Sequence, residues 1–70
     1  MKKEKAIKKK FKYYIGEEIK LEPSNFEIKL FELILKADIS NLKKLNKVYP
    51  KYTKIVTEYK GIYDLINPGA

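Results

Sequence analysis

The stretch Asn25–Ala37, N-F-E-I-K-L-F-E-L-I-L-K-A, is the one segment of this chain that is apolar over most of a helical circumference. On a helical wheel Phe26, Leu30, Leu33, Ile34 and Ala37 fall on one flank, and Ile28, Phe31 and Leu35 on the next. Together they span an arc of about 220°, leaving Lys29, Glu32 and Lys36 as a narrow polar strip. One neighbour cannot cover so wide an apolar surface, so the rest of the chain is expected to wrap this helix. Its start is also written in the sequence. Ser24 followed three residues later by Glu27 is a capping box, in which hydroxyl and carboxylate satisfy the unpaired N–H groups of the first turn reciprocally. Pro23 disfavours helical backbone in the residue before it and so closes whatever precedes.

Working outward, Asp38 is a good N-cap for a short helix over about residues 39–48. Its apolar positions are Ile39, Leu42, Leu45 and Tyr49, with Val48 at the edge and Lys43, Lys44 and Lys47 off that face. Pro50 suits the first position of a third helix, where its missing N–H is not needed. Tyr52, Ile55, Val56, Tyr59, Ile62, Tyr63 and Ile66 then follow helical spacing, running straight through Gly61. A glycine inside a helix costs about 1 kcal/mol relative to alanine, less than seven core contacts return. The pattern therefore predicts one helix over 50–66, weakened at Gly61 and stopped by Asn67-Pro68-Gly69. Residues 1–22 admit two readings. As a helix, Ile7, Phe11, Tyr14 and Ile15 share a face and Gly16 supplies the stop. As a hairpin, Phe11, Tyr13 and Ile15 alternate with Lys12 and Tyr14, a turn follows at Gly16-Glu17, and Ile19 and Leu21 form the return strand. The expected fold is mainly α: a compact three-helix core (25–37, 39–48, 50–66) within a domain over 23–70, carrying a basic N-terminal arm over 1–22.

Seventy residues allow one domain, near the lower limit for a core that folds unaided. The absence of Cys and His removes disulfides, thiol nucleophiles, thiolate metal sites and the usual general base, so neither catalysis, nor a metal, nor a cofactor is expected. The net charge is +7, and all sixteen positive charges are Lys. Residues 1–12 carry +6 and residues 36–60 carry +5, with an acidic stretch of −3 over 13–35 and Asp64 near the end. Lys acts as a hydrated point charge, whereas Arg is the residue suited to bidentate reading of guanine. The charge thus points to polyanions rather than to base-specific recognition. Lys8, Lys9, Lys10 and Lys12 interrupt the place where a signal-peptide apolar core would have to lie, and no apolar run is long enough to span a membrane. A cytoplasmic protein of a bacterial host cell is expected.

Two basic constellations are candidate electrostatic binding sites. Lys2, Lys3, Lys5, Lys8, Lys9, Lys10 and Lys12 would attract phosphate backbones, with Phe11, Tyr13 and Tyr14 beside them as rings for bases to stack on. Lys43, Lys44, Lys47, Lys51 and Lys54 surround the joint of the second and third helices, which in a helix-turn-helix would present Lys51, Thr53, Lys54 and Thr57 to a groove. Against that stands the want of Arg, Asn or Gln on the reading face, which favours a solvated surface. Tyr52, Tyr59 and Tyr63 belong to the apolar stripe, while Tyr13, Tyr14 and Tyr49 are free to anchor an interface. Glu17, Glu18, Glu22, Glu27 and Glu32 are read as cap and surface residues.

The run from Ile34 to Pro50, with Lys36-Ala37-Asp38, Asn41, Leu45 and Tyr49-Pro50 and continuing to Tyr52 and Tyr59, resembles small helical proteins of Gram-positive phages and mobile elements that carry no assigned activity. The resemblance covers the second half of the chain and implies fold and origin, with no catalytic residues; the lysine arm lies outside it. The functional expectation is a non-enzymatic interaction protein, monomer or homodimer, that binds and blocks a host protein or nucleoprotein complex such as a nuclease or defence complex. The competing expectation is an accessory protein that contacts DNA or RNA directly with little sequence specificity. Attachment to a membrane surface is disfavoured, because the apolar stripes are better used against one another.

Overall fold

A computed structural model describes residues 2–67, the side chains of Lys2 and Lys3 excepted. Five helices follow one another as α1 (Lys2–Tyr14), α2 (Asn25–Lys36), α3 (Ile39–Val48), α4 (Pro50–Lys60) and α5 (Tyr63–Ile66), with no strand among the described residues. The mainly α fold is as expected from the periodicity. The choice left open for the N-terminal segment falls to helix. Gly16 adopts a left-handed φ of +86° and ends α1, its N–H donating to the Tyr13 carbonyl at 3.1 Å. The path from Ile15 to Ser24 is then an irregular loop in which Ile19 is 87% exposed, so the return strand of the hairpin does not form.

The local start signals work as their chemistry requires. The Ser24 N–H donates to Glu27 Oε1 at 2.9 Å and the Glu27 N–H donates to Ser24 Oγ at 3.2 Å, completing the capping box of α2. Asp38 Oδ1 accepts from the Asn41 N–H at 2.8 Å and starts α3, and Pro50 opens α4. The third helix, however, is not continuous to residue 66. Gly61 sits at φ +74°, its N–H donates to the Glu58 carbonyl, and the Ile62 N–H donates back to the Thr57 carbonyl at 2.9 Å. This is a Schellman stop. The short α5 begins after it and brings Ile66 into the core, while Ile62 and Tyr63 pack half-buried at its edge. Asn67 lies in a bend; Pro68 and Gly69 of the expected stop lie outside the described residues.

The core consists of Ile7 and Phe11 from α1, Leu30, Phe31 and Ile34 from α2, Leu42 from α3, Ile55 and Val56 from α4, and Ile66 from α5. The basic segment is thus built into the core rather than appended to it. An aromatic series links the layers: Phe11 meets Phe31 and Tyr59 edge-on at 5.2 Å each, Phe31 meets Tyr52 at 5.8 Å, Tyr52 meets Tyr49 at 6.4 Å, and Tyr49 meets Phe26 at 5.9 Å. Rings prefer such tilted and edge-to-face arrangements because the positive ring edge faces a negative π surface. The wrapping of α2 is incomplete. Phe26 and Leu33, seven residues apart on one line of the helix, remain 58% and 53% exposed. Tyr59, placed on the expected apolar stripe, is also 59% exposed, one face resting against Phe11.

Candidate functional site

The strongest polar feature is a node that joins three helices around Glu27. Having capped α2 through Oε1, this buried carboxylate accepts through Oε2 from Lys10 Nζ of α1 at 3.1 Å and from the Tyr52 hydroxyl of α4 at 2.7 Å. Burial pushes its pKa upward, but the Ser24 N–H, the Tyr52 hydroxyl and the Lys10 ammonium outweigh that and hold it at about 2. Burial, followed by the bond to Glu27 and its charge, pushes the Tyr52 hydroxyl up to about 12. Three donors from three elements converge on one buried carboxylate, so the node fastens helices together. The sequence reading assigned Glu27 to the cap and surface; its two long-range partners make it a buried group as well.

The basic residues divide into those that face inward and those that face water. On α1, Lys10 is committed to Glu27, and Glu4 is turned to Lys54 of α4 at 3.8 Å. Lys5, Lys8, Lys9 and Lys12 are all exposed. Their spacing places them on one stripe opposite Ile7 and Phe11, and none of the four forms an ion pair among the described residues. Lys2 and Lys3 belong to the same helix, their side chains lying outside the described ones. Lys43, Lys44 and Lys47 are exposed on α3 and Lys51 on α4, whereas Lys54 is half-buried in its pair with Glu4. Of the two expected basic sites, then, α1 keeps four free lysines in a continuous row and loses Lys10; the helix joint keeps four and loses Lys54.

Of the aromatic candidates, Tyr14 and Tyr49 are used internally. Tyr14 is half-buried, its ring 6.4 Å from Phe11 and 5.8 Å from Phe31, and Phe11 itself is buried. Tyr49 lies between Phe26 and Tyr52, and Tyr13 is half-buried at the side of α1. A groove of about 480 Å³ separates α1 from the α3–α4 joint, with Ala6, Ile7 and Lys10 on one wall and Val48, Tyr49, Pro50, Lys51 and Tyr52 on the other. The sequence offered no signal for it beyond the apolar character of Val48 and Tyr49 next to Pro50. A second, smaller groove of about 250 Å³ between α1 and α4 brings Tyr59 beside Lys8 and Lys12, with Glu17 and Glu58 in its lining.

The described residues contain no group of three or more acidic side chains placed to hold a metal ion, and no helix among them is long and apolar enough to cross a membrane. Comparison of the chain with protein families, with curated proteins and with solved structures returns no match.

Proposed function

We propose that the protein is a non-enzymatic binding protein that engages the phosphate backbone of nucleic acid through the outer face of α1, with little dependence on base sequence. One observation carries this reading: Lys5, Lys8, Lys9 and Lys12 form an exposed row without an intervening carboxylate, the only acidic residue of the helix, Glu4, being paired with Lys54 of α4. Phosphate contacts by lysine supply affinity and position without sequence information. The lack of Arg in the whole chain agrees with that.

A second reading, a phage or mobile-element protein that blocks a host nuclease or defence complex, is favoured by the apolar groove at the α3–α4 joint, which suits a protein partner. Charge limits how such blocking works. A channel that binds nucleic acid is itself cationic, and a protein of net charge +7 is repelled by it. Blocking would therefore proceed through an acidic surface of the complex or through the nucleic acid it already holds.

The test is fluorescence anisotropy with labelled DNA and RNA. It compares the wild type with a K5Q/K8Q/K9Q/K12Q variant and with a K43Q/K44Q/K47Q variant. All seven lysines are exposed, so both variants keep the fold. Removing residues 1–12 instead would take Ile7 and Phe11 out of the core and confuse unfolding with loss of binding. The expected outcome is wild-type binding with Kd of about 1 to 100 μM at physiological salt, lost in the α1 variant and largely kept in the α3 variant. Absence of binding to any nucleic acid, together with a nuclease-resistant stoichiometric complex from bacterial lysate, would move the conclusion to the second reading.

A further inference from the structure

We infer that the α1 lysine row is matched to double-stranded rather than single-stranded nucleic acid, an inference that rests on the nucleic-acid reading above. Two independent features of the structure point this way. The first is rigidity. Ile7 and Phe11 are buried in the core and Lys10 is bonded to Glu27, so α1 is held along its length and its outer lysines stand on a fixed surface. From Lys5 to Lys12 the helix rises about 10 Å, which spaces the four lysines about 3.5 Å apart along the axis. A duplex presents a stiff array of about one phosphate charge per 1.7 Å, and each contact with it releases more counterion than a contact with a single strand does. A flexible strand, by contrast, must be ordered to follow a rigid row, and that ordering opposes binding.

The second feature is the want of a stacking platform. Proteins that hold single strands combine a basic track with rings on which unpaired bases stack. Here Phe11 is buried, Tyr14 is packed against Phe11 and Phe31, and Tyr13 lies to the side of the lysine row. Among the described residues the only largely exposed ring beside the row is Tyr59, and the groove it borders also holds the Glu17 and Glu58 carboxylates, which repel a phosphate chain entering there. What the helix offers outward is chiefly charge, with the half-buried Tyr13 ring at its edge.

The experiment measures anisotropy of a labelled duplex and of each of its separated strands, as a function of salt, for the full-length protein and for Tyr59→Ser. The expected result is duplex binding at least about fivefold tighter than either strand, with four phosphate contacts giving a loss of about a hundredfold between about 50 and about 200 mM salt, and no change on Tyr59→Ser. Equal or tighter binding of the strands, or a loss of strand binding on Tyr59→Ser, overturns the inference while leaving the backbone-binding reading in place. Binding to neither duplex nor strand overturns both.

Discussion

The side chain of Thr53 is fully buried in α4 and its Oγ1 has no hydrogen-bond partner among the described residues, whereas one turn later Thr57 Oγ1 donates to the Thr53 carbonyl at 2.6 Å. Two buried threonines on one helix thus have opposite fates, because only Thr57 finds its acceptor in the preceding turn. A buried hydroxyl without a partner forfeits its hydration for nothing, and valine has nearly its shape. Thr53→Val is expected to stabilise the fold by about 1 kcal/mol, which for a domain of this size raises Tm by about 4 to 8 °C in a thermal melt followed by circular dichroism. Glu27 supplies the second prediction at this scale. Its pKa falls from 4.5 to about 2 on folding, so its contribution to stability is complete above pH 4.5 and is lost as pH falls through about 2. The lowered pKa corresponds to about 3 kcal/mol of pH-dependent stability. Denaturant titrations between neutral and low pH should show a fall of that size, much reduced in Glu27→Gln. An equal fall in that variant would place the acid sensitivity elsewhere.

Among the elements, the sequence disclosed what short-range chemistry decides. Ser24 with Glu27, Asp38 and Pro50 each mark a helix start through groups a few residues apart, and each acts as read. Gly61 was legible only in part. The apolar positions keep helical spacing across it, so periodicity could not distinguish one helix from two helices that both face the core; the left-handed φ settles the matter. An alanine at this position would meet nothing within 4 Å, so its only penalty is backbone conformation. Gly61→Ala is expected to destabilise by about 1 kcal/mol, read as a lowered denaturation midpoint with an unchanged slope. A neutral result would mean that α4 simply extends through the site. Residues 1–14 were harder to read, since Ile7 and Phe11 are two apolar positions in a lysine background and the surfaces that bury them come much later in the chain. Yet the row Lys5, Lys8, Lys9, Lys12 has helical spacing of its own, a signal present in the sequence once helix is chosen over hairpin. The inward roles of Lys10 and Lys54 had no such signal, because their partners are set by tertiary packing alone.

For the molecule as a whole, the same charges that suit a polyanion oppose the folded state. Among the described side chains most lysines of α1 and α3 are exposed and unpaired, and bringing them onto one small surface raises their mutual repulsion. Added salt screens exposed charges far more than the Lys10–Glu27 pair, which is largely withdrawn from water. Thermal stability is therefore expected to rise with sodium chloride, and to rise less in K5Q/K8Q/K9Q/K12Q, in melts over a salt series. A fall with salt would show that attractive pairs outweigh the repulsion. The grooves and the uncovered edge of α2 also belong to this scale. They arise where five short helices fail to close around one another, which no single segment of sequence announces.

The seating of α1 has a consequence for how the chain is connected. Glu4 meets Lys54, Phe11 meets Tyr59 and Lys10 meets Glu27, so the first helix is held by surfaces contributed much later, while the loop joining it to α2 is irregular and exposes Ile19. The covalent link through that loop mainly keeps α1 at high effective concentration near its seat. Cut at Ile19, the molecule becomes two pieces, neither with a complete core, whose reassembly reports on the same packing that the intact chain completes within itself.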